Sequence, residues 1–243
     1  MHNAAFEALG LDWRYVKLPV APAALEQTVR ALPDSGYRGV NVTIPHKEGA
    51  LALADEAGDA ARAIGAANTL TFGDGAIRAD NTDAGGLLAA LGEEPRGMTA
   101  LVLGAGGAGR AAAWALREAG AEVGVWNRTP ERAARLADDL GVASVEAPSG
   151  ADLVVNATSV GLAPGDAVED LPLAWIDPPA VAVELVYGDH ETPFQAWAEA
   201  GGSRVVDGLE VLVRQGALSF ERWTGREAPL SVMRDAARGS GRT

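Results

Sequence analysis

The sequence predicts an α/β protein of two domains. From Thr99 onward, short apolar strands alternate with helices, which is typical of a parallel, doubly wound sheet. The residues before 92 show strand and helix signals less regularly, and Glu93 to Gly97 has the composition of a linker. A chain of 243 residues is long enough to form two cores. We therefore expect one α/β domain over residues 1–92 and another over 97–206, with the helix 208–223 packing back on the first.

Local patterns predict the elements of the first domain. They are a strand at Trp13 to Val20, a helix at Ala23 to Leu32, a strand at Tyr37 to Val42, a helix opened by Pro45, a hairpin between residues 68 and 79, and a helix at Thr82 to Leu91. Pro45 suits the first turn of a helix because its φ is fixed and it has no N–H. The sequence Gly-Asp-Gly at 73–75 is a hairpin turn signal.

A glycine-rich turn joins the first strand and helix of the second domain. Gly104, Gly106 and Gly109 fit the pattern G-x-G-x-x-G between the strand Thr99 to Leu103 and a helix from about Arg110. In such a turn the first glycine permits the tight bend. The second lets backbone approach a pyrophosphate, and the third lets the helix pack closely on the strand. With the helix N-terminus supplying N–H groups for phosphates, this pattern indicates a Rossmann-like dinucleotide-binding domain.

The end of the next strand favours NADP over NAD. NAD sites place a carboxylate there to bind the ribose 2′-hydroxyl. In this sequence Asn127 stands in that place, with Arg128 beside it and Arg132 one helical turn later. A guanidinium pairs with a 2′-phosphate, whereas a carboxylate would repel it.

Composition excludes several classes of function. There is no cysteine, which removes disulfides, thiolate catalysis and cysteine-ligated metals, and we expect no metal site and a cytoplasmic location. The net charge of −13 and the lack of a Lys/Arg cluster argue against a nucleic-acid partner. No apolar run approaches the length of a membrane span, and the first nine residues show no secretory signal.

Polar residues follow three strands of the first domain. Of the 20 basic residues only Lys17 and Lys47 are lysines, and Lys47 falls in the first turn of a predicted helix, where the dipole disfavours an ammonium ion. Lysine can release its proton near neutral pH and arginine cannot, so Lys47 is a candidate acid–base group. Asp83 also lies at a strand-to-helix junction, where a structural role as N-cap is the alternative. Asn68 lies at a third polar cluster.

Eight motifs in order resemble the shikimate/quinate dehydrogenase family and cover almost the whole chain. They are NVTIPHK at 41–47, IGAANT at 64–69, NTDAGG at 81–86, GAGGAGRA at 104–111, NRTPERA at 127–133, NATSVGL at 156–162, ELVYGDHETP at 184–193 and DGLEVLVRQGALSFERWTG at 207–225.

The resemblance implies NADP-dependent, reversible oxidation of shikimate to 3-dehydroshikimate, a step of aromatic amino acid biosynthesis, with a small-molecule substrate. It implies that Lys47 and Asp83 are catalytic. The substrate contacts it implies are Thr43, Asn68, Asp83, Tyr187 and Gln215. The cofactor contacts are Gly104, Ala105, Gly106, Gly107, Ala108, Gly109, Asn127, Arg128, Thr129, Arg132, Thr158 and Gly208, the last letting backbone approach the nicotinamide. His46 is expected to be structural and His190 exposed.

Two alternatives stay open. One is a related enzyme that prefers quinate or another cyclitol acid. The other is a non-catalytic NADP-binding relative, because the family normally begins with a strand and a serine-containing loop just before the segment that matches Met1 to Phe6. That loop holds the substrate carboxylate in the family, so we expect weakened shikimate binding by the chain as given. A homodimer is also left open.

Overall fold

The computed structural model describes residues 1–163, 166, 168–188 and 190–239. Its chain divides into two compact units. The first comprises Met1–Gly86 with Val213–Gly239, and the second Leu87–Leu212. The division falls within two helices, and the boundaries expected from the sequence stay a prediction.

The helices and strands alternate along most of the chain. The helices are α1 His2–Ala8, α2 Leu25–Ala31, α3 Lys47–Ala52, α4 Asp59–Ile64, α5 Thr82–Leu91, α6 Gly107–Glu118, α7 Pro130–Leu140, α8 Pro193–Ala200, α9 Gly208–Thr224 and α10 Leu230–Gly239. The strands are β1 Gly39–Asn41, β2 Glu56–Ala57, β3 Thr69–Gly73, β4 Ala76–Asp80, β5 Thr99–Leu103, β6 Glu122–Trp126, β7 Ala143–Ser144, β8 Leu153–Asn156, β9 Val181–Glu184 and β10 Arg204–Val206. No helix in the described part of the chain is both long and apolar enough to cross a membrane.

The first unit is built on a four-stranded sheet of order β1-β3-β4-β2. β3 and β4 form the expected hairpin, in which Asp74 and Gly75 both have positive φ, 53° and 75°. Positive φ at both central residues is what a two-residue hairpin turn of matching twist needs. Helix α9 contacts this sheet through Trp223, whose Nε1 donates to the carbonyl of Leu70 at 3.0 Å. A Cβ on Gly39 would lie 2.2 Å from that nitrogen, so the glycine leaves room for the indole.

The strand predicted at Trp13 to Val20 is wrong. This segment is without regular secondary structure, and β1 pairs only with β3 among the described residues. The side chain of Asn3 holds it instead, with Nδ2 donating to the Tyr15 carbonyl at 3.0 Å and Oδ1 accepting from the Tyr15 N–H at 2.6 Å. A β-branched and aromatic pattern favours extended backbone, but a strand also needs a neighbour for its ladder.

The helix predicted to open at Pro45 begins two residues later, at Lys47. Pro45 lies in a turn that the N–H of His46 closes by donating to the Thr43 carbonyl at 2.9 Å. Proline is accepted as the third residue of a tight turn when the preceding peptide bond is cis, as the Ile44–Pro45 bond is here. Lys47 therefore becomes the first residue of α3.

The second unit is a six-stranded sheet of order β10-β9-β8-β5-β6-β7 with every pair parallel. Written from β5 as the first strand, this is the 3-2-1-4-5-6 order of dinucleotide-binding domains. β8 and β9 are buried along their whole length, as expected for central strands covered by helices on both faces. The predicted α/β class with a Rossmann-like domain is confirmed. The helix after the glycine turn begins at Gly107, three residues before the predicted start, since glycines can also form the first turn.

An apolar cluster between α1, α9 and α10 encloses the imidazole of His2. The ring centroid of His2 lies 4.4 Å from that of Tyr15 and 5.3 Å from that of Trp223. The residue is 3% exposed, and among the described residues neither ring nitrogen has a hydrogen-bond partner. Burial lowers the pKa of His2 to about 4. The nearby amide of Asn41 opposes that shift without reaching hydrogen-bond geometry to either ring nitrogen.

We predict that His2 makes the first unit less stable in mild acid. The folded-state pKa lies below the ordinary histidine value of 6.5, so the unfolded chain binds the proton more tightly. Stability is full above pH 6.5 and falls as pH drops from 6.5 through about 4, by on the order of 3 kcal/mol. His2→Phe keeps the ring stacking and removes this dependence. Urea unfolding of both proteins between pH 7 and pH 4 tests it, and parallel stability curves would contradict it.

Candidate active site

Lys47 and Asp83 form an ion pair in the first unit. Nζ of Lys47 lies 2.6 Å from Oδ2 of Asp83, and the two side chains are 18% and 24% exposed. Lys47 is the first residue of α3 and Asp83 the second of α5. A lysine and a carboxylate held together at this depth can exchange a proton with a hydroxyl bound beside them.

Asn81, the residue before α5, caps that helix. Its Oδ1 accepts from the N–H groups of Asp83 at 3.1 Å and Ala84 at 3.4 Å, and its Nδ2 donates to the Ala66 carbonyl at 3.0 Å. The structural role that the sequence offers Asp83 is thus filled by Asn81. The carboxylate of Asp83 is left to pair with Lys47.

Asn68 orients the other oxygen of Asp83. Its Nδ2 donates to Asp83 Oδ1 at 2.7 Å. Its Oδ1 accepts from the backbone N–H of Thr82 at 2.7 Å. Because a backbone N–H can only donate, this contact assigns the amide oxygen and directs the amide nitrogen toward Asp83. Asn68 is 3% exposed, so water does not compete for these bonds.

Gln215, on α9, contacts the same amide. Its Oε1 lies 3.3 Å from Asn68 Nδ2 and 3.4 Å from Thr82 Oγ1. The approach of α9 depends on Gly86, where a Cβ would lie 2.6 Å from Gln215 Cβ and 2.7 Å from its backbone nitrogen. The second glycine of the motif NTDAGG therefore positions Gln215, a role that sequence reasoning did not assign.

Thr43 and Tyr187, the other two expected substrate contacts, have no hydrogen bond with the Lys47–Asp83 pair among those described for the chain. Thr43 is exposed at the turn before α3, and its carbonyl accepts from the N–H of His46. Tyr187 belongs to the second unit, where it is 54% exposed. His46 is structural, since its ring Nε2 contacts the Val20 carbonyl at 2.9 Å and ties down the 13–20 segment.

Sequence reasoning assigned no role to a group of polar residues behind Asn68. They are Asn41, Thr69, Thr82 and Ser219, joined by hydrogen bonds of 2.8–3.2 Å. Thr69, Thr82 and Ser219 are almost completely buried. Asn41, Thr69 and Thr82 all stand inside the motifs that carry the family resemblance, which was the available signal. Ser219 also stands inside one of these motifs, at 207–225, but a serine in an amphipathic helix indicates no particular role on its own.

The glycine turn of the second unit has the geometry that its sequence predicts. Gly104 has φ +108°, and a Cβ there would lie 2.8 Å from the Ala157 carbonyl. A Cβ on Gly109 would lie 2.0 Å from the Gly104 carbonyl, so only glycine lets α6 pack on β5. Gly106 has nothing within 4 Å of its Cβ position. The space above Gly106, at the N-terminus of α6, is thus open to a phosphate group, and the turn fits a dinucleotide.

Asn127 links the end of β6 to this turn. Its Oδ1 accepts from the Ala105 N–H at 3.1 Å, and its Nδ2 donates to the Thr129 carbonyl at 2.9 Å. Arg128 and Arg132 are exposed on the loop and first turn that follow. Arg128 is 3.7 Å from Asp170, with 80% of its side chain exposed. Both guanidinium groups are accessible to an anionic group bound near Asn127.

Glu184 organises the loops after β8 and β9. This carboxylate is fully buried and accepts from Asn156 Nδ2 at 3.0 Å, Thr192 Oγ1 at 2.6 Å and the Val186 N–H at 2.8 Å. Burial raises the pKa of the Glu184 carboxyl, and these donors partly offset the rise. Thr158 is fixed nearby through Asn156 Oδ1, to which its Oγ1 donates at 2.7 Å.

The loop after β9 carries Tyr187, which lines a cavity of about 350 Å³ together with Gly208 and His190. A Cβ on Gly208 would lie 2.2 Å from the Val186 carbonyl, so packing within the protein already requires this glycine. His190 is exposed, as expected, and its Nε2 contacts the Gly161 carbonyl at 3.0 Å. Asp189 of the same motif lies outside the described residues.

Comparison with known proteins identifies the family. Residues 1–70 match the shikimate dehydrogenase substrate binding domain, 88–160 match shikimate/quinate 5-dehydrogenase, and 208–238 match the shikimate 5′-dehydrogenase C-terminal domain. The NADP⁺ shikimate dehydrogenase of Methanothermobacter thermautotrophicus is 43% identical over 97% of this chain and 89% of its own length. The chain belongs to the shikimate dehydrogenase family.

Solved structures agree with this assignment. Shikimate 5-dehydrogenase from Thermus thermophilus, in complex with NADP(H) and shikimate, is 44% identical with a TM-score of 0.88, covering 98% of this chain and 92% of that one. Ligand-free 5-ketofructose reductase of Gluconobacter sp. has the same TM-score of 0.88 at 30% identity, covering 98% and 91%. The fold is therefore shared with a reductase named for another substrate.

Gly86→Ala should destabilise the first unit. The added methyl group would meet the backbone of Gln215, which cannot move as a flexible side-chain end could. Overpacking of this kind costs about 1–3 kcal/mol. Gly73→Ala is the matched control, because its Cβ would meet only Arg78 Nη1, at 3.7 Å. Urea unfolding of the two variants measures the effect, and equal midpoints would show that α9 adjusts without cost.

We predict that replacing both Arg128 and Arg132 by alanine weakens NADP⁺ binding by about tenfold or more. NAD⁺ binding should remain almost unchanged, because NAD⁺ has no 2′-phosphate for these arginines to contact. The control is Arg135→Ala, which removes an exposed arginine from the same helix about one turn further on. Fluorescence titration with both cofactors measures the binding. An equal loss for NAD⁺ and NADP⁺ would refute a role in 2′-phosphate recognition.

Proposed function

We propose that this protein catalyses the reversible oxidation of shikimate to 3-dehydroshikimate with NADP⁺. The observation that supports this most directly is the contact of 2.6 Å between Lys47 and Asp83, beside the amides of Asn68 and Gln215, in a member of the shikimate dehydrogenase family. A partly buried acid–base pair among amide groups suits a substrate that carries several hydroxyls on a ring.

Lys47 is proposed to move the proton of the reacting hydroxyl. In oxidation, the C–H bond of the alcohol carbon breaks and its electron pair leaves as hydride, while the O–H proton passes to the neutral amine of Lys47. In reduction, the ammonium form returns that proton to the carbonyl oxygen. Asp83 holds Lys47 through the bond to Nζ in both directions, and its carboxylate can also accept a hydrogen bond from a neighbouring ring hydroxyl.

NADP⁺, when bound, supplies the hydride acceptor. The residues proposed to hold it are those of the Gly104–Gly109 turn with Asn127, Arg128, Thr129, Arg132, Thr158 and Gly208. The open space at Gly106 and the exposed guanidinium groups support this assignment.

Asn68 and Gln215 are proposed to recognise ring hydroxyls, together with Thr43 and Tyr187. A site built from paired donors and acceptors rejects a ligand that lacks a matching group, because its buried polar atoms would lose their partners. A cytoplasmic location and a homodimer remain expectations from the sequence.

Initial rates of NADP⁺ reduction with shikimate and with quinate test the proposal. We expect shikimate to have the higher kcat/KM. A preference for quinate would change the substrate assignment within the same chemistry. No turnover with either acid, in a protein that binds NADP⁺, would favour the non-catalytic alternative.

Lys47→Ala should lower kcat by about a hundredfold or more while leaving NADP⁺ affinity intact, since it removes the group that moves the proton. Lys47→Arg should be nearly as inactive, because arginine keeps the charge but does not release its proton. Steady-state kinetics and NADP⁺ titration provide the two measurements.

The same two substitutions at Lys17, the other lysine of the chain, are the control, because Lys17 is exposed. Both Lys17 variants should keep wild-type kcat. Turnover by Lys47→Arg close to that of the wild type would remove Lys47 from the proton-transfer role.

A further inference from the structure

We propose that three buried hydroxyls, those of Thr69, Thr82 and Ser219, are positioning residues for the reaction, acting on Asp83 through Asn68. They are called the hydroxyl cluster below. This inference rests on the proposed function and adds residues that have no contact with Lys47 among the hydrogen bonds described.

The hydroxyl cluster is a closed triangle. Thr69 Oγ1 lies 2.8 Å from Ser219 Oγ and 3.1 Å from Thr82 Oγ1, and the latter two atoms are 3.1 Å apart. Relative exposure is 0% for Thr69, 1% for Thr82 and 0% for Ser219. The three residues come from β3, α5 and α9, so the triangle joins three separate elements. Three buried hydroxyls must satisfy one another or adjacent polar groups, because water does not reach them.

Asn41 determines the direction of hydrogen bonding into the cluster. Asn41 Nδ2 lies 3.4 Å from the Asn68 carbonyl, which can only accept, so the nitrogen faces the cluster and Oδ1 accepts from the Tyr15 hydroxyl at 3.1 Å. That nitrogen donates to Ser219 Oγ at 2.8 Å and to Thr69 Oγ1 at 3.2 Å. An amide nitrogen cannot accept, so both hydroxyl oxygens accept a hydrogen bond from Asn41. Ser219 Oγ donates to the Gln215 carbonyl at 3.1 Å, and Thr69 Oγ1 is left to donate toward Asn68.

The onward path ends at Asp83. Thr69 Oγ1 donates to Asn68 Oδ1 at 3.1 Å, the same oxygen that the Thr82 N–H contacts. Asn68 Nδ2 donates to Thr82 Oγ1 at 3.0 Å and to Asp83 Oδ1 at 2.7 Å. The amide of Asn68 has one orientation, because its oxygen accepts from the Thr82 N–H and its nitrogen faces the oxygens of Thr82, Asp83 and Gln215. Successive hydrogen bonds that run in the same direction polarise and strengthen one another, and this series ends at the Asp83 carboxylate, which holds Lys47.

A single hydroxyl can be removed with little change in shape. Thr69→Val is nearly isosteric and deletes the donor to Asn68 Oδ1, whereas Thr69→Ser keeps the donor and deletes a buried methyl group. We expect Thr69→Val to lower kcat for shikimate oxidation by about tenfold, with the Kd for NADP⁺ unchanged. Thr69→Ser should retain most of the wild-type kcat although its Tm falls, because a buried methyl is lost. A role confined to packing would give the opposite ranking.

Thr71 provides the matched control. It lies two residues along the same strand, and its buried Oγ1 has no hydrogen-bond partner in the part of the chain that the structure describes. Thr71→Val should therefore leave kcat unchanged and Tm equal or higher. Ser219→Ala removes a second member of the cluster from a different element and should lower kcat in the same direction as Thr69→Val.

Steady-state kinetics, NADP⁺ titration and thermal unfolding of these four variants test whether the hydroxyl cluster positions Asp83. A kcat for Thr69→Val equal to that of Thr69→Ser, in an active wild-type enzyme, would overturn the proposal. So would a wild-type kcat for Ser219→Ala. Absence of shikimate oxidation by the wild type would instead overturn the proposed function, so the two failures are distinguishable.

Discussion

The geometry of the first unit's polar cluster depends on Asn68 more than on any other residue. Its carbonyl accepts from the Val42 N–H at 2.7 Å, its N–H donates to the Asp80 carbonyl at 3.1 Å, and its amide oxygen accepts from the Thr82 N–H. One residue therefore connects the end of β1, the end of β4 and the start of α5. The same amide then reaches Asp83, so the position of the ion pair is a consequence of how these segments join.

In the second unit, close packing of backbone against backbone fixes the positions of the turns. Gly109 lies against the Gly104 carbonyl, and Gly104 against the Ala157 carbonyl, so the turns after β5 and β8 meet at the point where the strand order reverses. Ligands of open α/β sheets bind at such a point. Glu184 adds a buried carboxylate that ties the end of β8 to the loop after β9 through Asn156 and Thr192. The donors that surround it make this arrangement specific, at the cost of burying a carboxyl group.

The sequence predicted what local chemistry determines. A glycine spacing has a direct geometric reason, so the glycine turn could be predicted without a structure. The start of the helix that carries Lys47 was predicted to within two residues, while a catalytic role for Lys47 stays a prediction. The segment 13–20 was mispredicted because extended propensity does not supply a partner strand. The contact between Ser219 and Asn41 could not be predicted, because the two residues are 178 positions apart and only the tertiary fold brings them together. Contacts of that kind carry no periodicity or spacing that a single sequence can show.

Anion binding in a protein of net charge −13 has to rely on local fields. The first turn of α6 contains no acidic residue, whereas the first turns of α3, α5 and α7 each contain one. The N–H groups at Gly107 and Ala108 therefore keep the positive end of the helix dipole uncompensated. In the first unit the charge of Lys47 is matched by that of Asp83, so the pair carries no net charge and adds little to any attraction for an anion. In the proposed function the two units thus have different recognition tasks, the second unit holding phosphates with backbone dipoles and arginines, and the first holding ring hydroxyls with amide groups.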